Sequence, residues 1–151
     1  MIKVALFEPD IAGNVGTIIR TCVGFDVELH IIEPCGFPFD INRIKKSALD
    51  YVFKAKIIRH QNFESFYNQE LFSKDSRLVL ASTKASINYL NFKFNKNDIL
   101  MFGSESAGVP DEVYKRSHQR IFIPMKNNLR CFNVAISCGI ILAKGIADTD
   151  F

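Results

Sequence analysis

The sequence has no hydrophobic run long enough to cross a membrane. Its longest apolar stretch, residues 134–143, is interrupted by Ser137 and is far shorter than the roughly 20 residues of a spanning helix. The first apolar run has the length of a strand and ends in acidic residues, unlike a signal peptide. With 48% hydrophobic and 23% charged residues, the chain has the composition of a soluble globular protein. We expect one domain over residues 1–151 and no membrane partner.

The cysteines also lack the patterns that mark metal sites or disulfide frameworks. There is no Cys-x-x-Cys pair and no zinc-ligand spacing among the four, which are Cys22, Cys35, Cys131 and Cys138. Most are in apolar or helical surroundings, which favours reduced thiols and a cytoplasmic location. The three histidines have no serine or cysteine nearby in a nucleophile setting, so structural or surface positions are expected for them. We predict no metal site.

Short apolar runs alternate along the chain with amphipathic stretches. The runs predict strands at 2–7, 27–32, 56–59, 77–81, 98–103 and 120–124. Helices are predicted at 14–25, where apolar residues form an amphipathic stripe, and at 63–72, 110–117 and 133–147. Strands that are apolar on both faces and alternate with helices are typical of an α/β domain, with a mainly parallel sheet covered by helices on both faces. Residues 91–98 are interpreted as a surface connection.

Three polar junctions follow predicted strands, at the place where parallel sheets bind ligands. They are "EPDIAGNVG" (8–16), "GSESAGVP" (103–110) and "PMKNNLRCFN" (124–133). None contains the G-x-G-x-x-G or G-x-x-x-x-G-K-[ST] pattern, so the common dinucleotide and phosphate-binding loops are absent. Asn14 and Asn133 are suited to capping the helices that follow. A site at these junctions must use another design.

Basic side chains cluster at the same junctions. Arg20 is predicted to lie on a glycine-flanked helix face, where its guanidinium could bind a phosphate or carboxylate. Lys126 and Arg130 recur in the third junction, and Lys45 with Lys46 forms a small basic run. Solvent-exposed side chains would give the same pattern. The net charge of +3 permits an RNA partner without requiring one. The last predicted helix is apolar nearly all round and rich in small residues, which favours burial in the core or against another subunit.

Taken together, the three junctions resemble the three motifs of the SPOUT superfamily of S-adenosylmethionine-dependent methyltransferases, in its SpoU-type ribose-methylating branch. The matching segments are "NVGTIIRTC" (14–22), "LMFGSESAGVP" (100–110) and "IFIPMKNNLRCFNVAIS" (121–137). "LFEPDIAGNVGTIIR" (6–20), "LHIIEPCGFPFD" (29–40) and "LDY" (49–51) are similar to the wobble-position tRNA 2′-O-methyltransferases in particular. The resemblance covers nearly the whole chain.

The resemblance implies a SPOUT fold with a C-terminal trefoil knot and a homodimer. It implies S-adenosylmethionine-dependent methylation of a tRNA ribose 2′-hydroxyl at the wobble nucleotide, a cytidine or modified uridine, of leucine-type anticodons. The residues implied are Arg20 for catalysis; Asn14, Glu105 and Asn133 for substrate positioning; Ala81, Gly103, Ile123 and Cys131 for the cofactor; and Lys45, Lys46, Lys126 and Arg130 for RNA.

The chain departs from the subgroup's usual pattern at three positions. Gly13, Thr17 and Cys131 stand where Pro, Asn and Ser are more common. A thiol is a weaker hydrogen-bond partner than a hydroxyl, so a backbone contact is expected at Cys131. Three alternatives stay open: methylation at another tRNA or rRNA position, a non-catalytic RNA-binding protein of the same fold, and a dinucleotide-dependent oxidoreductase. The missing glycine fingerprint disfavours the last.

Overall fold

A computed structural model describes residues 1–72 and 74–149, with the backbone alone at 41 and 45–47. Within these residues the strands are β1 Lys3–Phe7, β2 Glu28–Ile32, β3 Ile57–His60, β4 Arg77–Ala81, β5 Ile87–Asn88, β6 Asp98–Phe102 and β7 Gln119–Phe122. The helices are α1 Ala12–Gly24, α2 Ile41–Ala48, α3 Phe63–Glu70, α4 Asp111–Arg116 and α5 Val134–Thr149. Two 3₁₀ turns, Leu49–Lys54 and Tyr89–Asn91, complete the set.

The strands form one seven-stranded sheet in the order β3-β2-β1-β6-β4-β7-β5, and every pairing is parallel. The carboxyl ends of all strands therefore meet at one edge of the sheet. β1 and β6 are neighbours, and β7 is separated from β6 only by β4. The three polar junctions therefore leave the same part of this edge, with β4 between the second and the third.

Helices cover both faces of the sheet, as the apolar strands predicted. On one face α1, α2 and α5 pack through a cluster that includes Ile18, Ile44 and Leu142, all inaccessible to solvent. On the other face α3 and α4 contribute Phe66 and Val113 to a second cluster. Burying each of these large side chains contributes about 1.5–3 kcal/mol to folding. The predicted parallel α/β architecture is confirmed.

Helix α2 and strand β5 were not predicted. The signal for α2 is a capping residue, since the Asp40 carboxylate accepts from the backbone N–H of Asn42 at 2.9 Å, followed by buried Ile44 and Ala48 on one face. Strand β5 has only two residues, too few for any periodicity to show.

The interpretation of residues 91–98 as a surface connection is wrong for part of that segment. Phe92 and Phe94 are 8% and 3% exposed and pack edge to face with their ring centroids 4.8 Å apart. Asp98 is fully buried, where its carboxylate accepts two hydrogen bonds from Arg77, at 2.7 and 2.8 Å. Two alternating aromatic rings anchor this irregular stretch to the core.

The start of α1 also differs from the prediction. The helix begins at Ala12 and its N-cap residue is Ile11, which makes no side-chain capping bond. Asn14 therefore lies inside the first turn and is not a cap. Gly16 is buried with the apolar stripe and does not share the exposed face of Arg20.

The cysteines are free in the structure. Cys22 and Cys138 are buried, and burial raises the pKa of the Cys22 thiol to about 12. A thiol that stays protonated is a poor nucleophile and a poor metal ligand. Among the described residues, no helix combines the length and apolar character needed to span a bilayer.

Candidate active site

The three junctions converge on one cavity beyond the carboxyl ends of β4, β6 and β7. Its volume is about 620 Å³, within the range of about 300–1,000 Å³ that small-molecule sites occupy. Seven of the residues that the sequence pointed to line it: Asn14, Ala81, Gly103, Glu105, Ile123, Cys131 and Asn133. The sheet thus assembles segments that are up to 119 positions apart in sequence.

A continuous chain of hydrogen bonds joins the three junctions. Glu105 Oε2 accepts from the backbone N–H of Asp10 at 2.6 Å, and its Oε1 accepts from Asn14 Nδ2 at 3.2 Å. Asn14 Oδ1 in turn accepts from Asn133 Nδ2 at 3.0 Å. Asn133 Oδ1 accepts from the N–H groups of Ala135 and Ile136, at 2.8 and 3.3 Å. The predicted cap at Asn133 is thereby confirmed, and its amide also reaches the first junction.

The second junction is a tight loop built on two glycines. Ser104 and Gly108 exchange backbone hydrogen bonds of 2.9 Å in both directions, and Gly108 has a left-handed φ of 64°. A Cβ on Gly103 would lie 2.6 Å from the carbonyl carbon of Gly108. The absence of a side chain at Gly103 thus allows the loop to fold on itself beside the cavity.

Asp10 holds this loop against the first junction. Its Oδ2 accepts from Ser106 Oγ at 2.5 Å and from the Ser106 N–H at 3.1 Å. Asp10 was quoted in the first junction but not singled out. Its only sequence signal is its place directly after a strand at the carboxyl edge.

The third junction turns through two residues with left-handed backbone. Asn127 and Asn128 have φ values of 63° and 53°, a region that asparagine tolerates better than most residues. The adjacent asparagines are therefore explained by the turn. Lys126 and Arg130 are exposed beside it, outside the cavity lining, and form no ion pair with the described residues.

Arg20 lies six residues along α1 from Asn14 and does not line the cavity. Its side chain is exposed, has no ion pair with the part of the chain that the structure describes, and lies over the ring of Tyr51 with Cζ 5.6 Å from the centroid. Lys45 and Lys46 belong to α2, but their side chains are outside what the structure describes.

A fourth segment of the cavity wall is the turn after Ala81, which the family resemblance implied for the cofactor. After Ala81 the chain continues along the cavity through Ser82, Thr83 and Lys84. Tyr114 faces them from α4 and donates its hydroxyl to the Lys84 carbonyl at 3.3 Å. The segment follows β4 at the same edge as the three junctions, and this position was the available signal.

A second polar cluster lies at the other end of the sheet. The ligand-type atoms of Glu28, His30 and Glu70 are within 4.8 Å of one another. The ammonium of Lys3 lies 2.8 Å from both carboxylates and supplies the positive charge that a metal ion would bring. His30 Nε2 is 2.9 Å from Glu28, and its Nδ1 is 2.8 Å from Nε2 of buried His60. Protein groups bond both nitrogens of His30, whereas the buried His60 Nδ1 has no hydrogen-bond partner among the described residues.

A parallel sheet with an apolar cavity and bonded polar loops at its carboxyl edge is the arrangement in which α/β proteins bind small molecules. The chain belongs to the SpoU rRNA Methylase family, which it matches over residues 1–143. The predicted methyltransferase family is confirmed.

Individual relatives agree with this assignment. The chain is 38% identical to the tRNA (cytidine(34)-2'-O)-methyltransferase of Ancylobacter novellus, over 98% of this chain and 93% of the relative. A solved structure described as giving structural insights into the 2-OH methylation of C/U34 on tRNA superposes with a TM-score of 0.92 at 28% identity, covering 98% of this chain and 95% of that one. The AdoMet-bound rRNA methyltransferase of Sinorhizobium meliloti has a TM-score of 0.87 at 26% identity, over 97% of this chain and 56% of that one.

Proposed function

We propose that this protein transfers a methyl group from S-adenosylmethionine to the ribose 2′-hydroxyl of the wobble nucleotide, a cytidine or modified uridine, in leucine-type tRNAs. The observation that carries this proposal is the convergence of three hydrogen-bonded junctions on one cavity. It occurs in a chain 38% identical, over 98% of its length, to a protein named for cytidine-34 ribose methylation of tRNA.

The cavity fits the proposed cofactor in size and chemistry. Half-buried apolar side chains, among them Phe122, Met125 and Val134, offer a surface for adenine. Ile123, Cys131, Ala81 and Gly103 lie in the same wall, and we assign the backbone groups of Ile123 and Cys131 the contacts with adenine or ribose. When bound, S-adenosylmethionine supplies a methyl group already activated by its sulfonium.

Arg20 is proposed as the catalytic residue. A guanidinium stays protonated at ordinary pH, which makes it a poor proton acceptor and a good donor to phosphate and hydroxyl oxygens. We assign Arg20 the task of gripping the phosphate next to the target ribose and orienting the 2′-hydroxyl. Its lack of an ion pair with the described residues leaves the fork available for this contact. Orientation of this kind supplies much of the advantage of an enzyme over solution.

Glu105, Asn14 and Asn133 are proposed to position the loops and through them the substrate. Both oxygens of Glu105 already accept protein hydrogen bonds, at 2.6 and 3.2 Å, so we assign the carboxylate a positioning role instead of that of a free base. The same chain fixes the start of α5 against α1. Substitution of any one of these three residues would therefore shift two junctions at once.

Affinity for tRNA is proposed to depend on cations around the cavity mouth. Lys126 and Arg130 are exposed, and Lys45 and Lys46 follow Arg43 on α2. Each phosphate that such a group neutralises strengthens RNA binding and makes it more sensitive to salt. Because the net charge is only +3, local clustering of charge matters more than the total.

We propose that residues 1–151 act as one domain with a C-terminal trefoil knot. Strand β7 lies between β4 and β5, whose connection is only the five residues between Ala81 and Ile87. Ile121 is in register with both Ala81 and Ile87, so this short connection passes around the end of β7. Residues 123–133 leave β7 at that point, which supports threading through the loop.

A homodimer in the cytoplasm is the proposed working form. The outward face of α5 carries the exposed or half-buried apolar residues Ile136, Ile140, Ala143 and Ala147, with half-buried Gly139 beside them. An apolar helix face of this kind is suited to pack against a second copy. The free, buried thiols of Cys22 and Cys138 agree with a reducing compartment.

Substitution of Arg20 tests the proposed reaction. We expect Arg20→Ala to abolish methyl transfer from labelled S-adenosylmethionine to tRNA, while calorimetry shows cofactor binding close to wild type, because Arg20 is outside the cavity lining. Arg20→Lys keeps the charge without the planar fork and should be intermediate. Wild-type turnover by Arg20→Ala would remove this residue from the site.

The same assay separates the alternatives. A non-catalytic RNA-binding protein would bind tRNA and leave no label on it. Methylation at another position would label the RNA, and mapping of 2′-O-methyl groups in tRNA and rRNA from cells with and without the gene would locate the mark. Tight NAD binding without S-adenosylmethionine binding would favour an oxidoreductase.

A further inference from the structure

One aromatic side chain beside the proposed catalytic arginine has no structural task that accounts for its position. Tyr51 belongs to the 3₁₀ turn Leu49–Lys54 that follows α2, and its side chain is 42% exposed. The Arg20 guanidinium lies over its ring at 5.6 Å. The tyrosine hydroxyl forms no hydrogen bond with the residues that the structure describes. The ring therefore contacts a cation on one side and presents apolar surface to solvent.

The place of Tyr51 relative to the cavity is set by α1. Arg20 is six residues beyond Asn14, a separation of about 9 Å along the helix axis. Asn14 lines the cavity, whereas Arg20 lies farther along α1 with Tyr51 beside it, and both are outside the lining. An RNA strand that presents one ribose at the cavity would pass this ring with a neighbouring nucleotide.

We propose that Tyr51 stacks on a nucleobase of the anticodon loop next to the methylated nucleotide. This inference rests on the proposed function, because it assumes a single-stranded RNA substrate. Single-stranded RNA is bound by stacking unpaired bases on exposed aromatic side chains, with cations holding the backbone. Tyr51 and Arg20 supply this pair of contacts side by side: the ring takes the base, and the guanidinium takes the phosphate.

The test measures binding of a fluorescently labelled synthetic anticodon stem-loop RNA by anisotropy, with methyl transfer to the same RNA as a second readout. We expect Tyr51→Ala and Tyr51→Leu to weaken binding by about 5- to 150-fold, the range that loss of a base–aromatic stack gives. Tyr51→Phe keeps the ring and should bind as wild type. Phe72→Ala is the matched control, because Phe72 is 67% exposed and follows α3 on the opposite face of the sheet.

Abasic RNAs distinguish stacking from an indirect effect on Arg20. The base is removed at the wobble nucleotide or at either neighbour, with the sugar and phosphate kept. If Tyr51 stacks on one of these bases, Tyr51→Ala and the wild type should bind the RNA that lacks this base with equal affinity. If the loss is the same on every abasic RNA as on the intact one, or if kcat falls with binding unchanged, Tyr51 only positions Arg20 and the inference is overturned.

The outcome is separable from that of the proposed function. Wild-type protein that binds the RNA but transfers no methyl group would refute the reaction, and the binding comparisons would still decide the role of Tyr51. Light scattering of each variant excludes a changed oligomeric state as the cause of weaker binding.

Discussion

At the scale of single residues, the site depends on the direction of each hydrogen bond between its amides and carboxylate. Asn14 donates to Glu105 through Nδ2 and accepts from Asn133 through Oδ1. An amide can do both at once, whereas a carboxylate only accepts. The sequence showed that these residues occur at junctions, but the contacts across 91 and 119 positions follow from strand order, which no local pattern encodes.

This directionality gives the first prediction. Asn14→Asp should place two carboxylates in contact and lower the free energy of unfolding by about 1–3 kcal/mol. Adding Glu105→Gln should recover most of that loss, because the glutamine oxygen can accept from the Asp10 N–H while its amide donates to the carboxylate introduced on α1. Urea denaturation of the two single variants and the double variant measures the coupling. If the effects of the two substitutions on the free energy of unfolding simply add, the hydrogen bond between Asn14 and Glu105 is contradicted.

The buried histidine pair gives a prediction for pH. Burial lowers the pKa of His30 and of His60 below their ordinary value, against the opposing effect of the Glu70 carboxylate. The unfolded chain then binds more protons than the folded one once the pH falls below about 6.5. Stability should be constant above that pH and decline below it, by up to about 1.4 kcal/mol per pH unit for each histidine.

Chemical denaturation between pH 5 and 7.5 checks this slope. The charged neighbours of the histidine pair are Lys3, Glu28 and Glu70. Burial tends to raise the pKa of Glu28, but the hydrogen bond from Lys3 outweighs this and lowers it, so Glu28 stays ionised over this pH range. His60→Gln is the control, because its amide can still donate to His30 but does not titrate. An unchanged slope in this variant would exclude His60 as a contributor.

At the scale of elements, the sequence predicted most helices and strands but not how the loops between them fold. Local sequence signals located α1, α3, α4 and α5 to within a few residues. Helix α2 also carries such a signal, because Ile44 and Ala48 lie on one face after the Asp40 cap, but it was not recognised. Strand β5 is a single residue pair, which is too short for periodicity to reveal. In the loop 103–108, the structure shows that the missing side chain of Gly103 permits a close approach of backbone to backbone, which no local pattern indicated.

Two glycines allow a matched prediction about that loop. Gly103→Ala would force a Cβ against the Gly108 backbone, which lies 2.6 Å away and cannot yield as a side chain would. We expect a loss of about 1–3 kcal/mol of stability together with weaker S-adenosylmethionine binding. Gly13→Ala adds the same methyl group on exposed α1, where no atom lies within 4 Å, and should be neutral or stabilise by up to about 1 kcal/mol. Thermal melts measure the stability of the two variants, and calorimetry measures their cofactor binding. Equal effects of Gly103→Ala and Gly13→Ala would show that the loop tolerates a side chain at Gly103.

At the scale of the whole molecule, general topology rules would have predicted an ordinary doubly wound sheet. Chains that thread their own loops are rare, so nothing in composition or periodicity favours a knot. The resemblance of three ordered motifs supplied that expectation, and the insertion of β7 between β4 and β5 agrees with it. The same holds for the reaction: the cavity indicates a small ligand, and only the family likeness directs the proposal to methyl transfer.

The final prediction concerns assembly through α5. A Cβ on Gly139 would meet no atom within 4 Å in this chain, so Gly139→Leu can be accommodated by a single subunit. If the outward face of α5 packs against a second copy, the leucine will separate the helices, giving monomers that bind tRNA poorly because half of the basic surface is lost. Gly24→Leu on α1 adds the same side chain at another open position and should leave the dimer intact. Light scattering at assay concentrations measures both, and a fully active wild-type monomer would refute the proposed dimer.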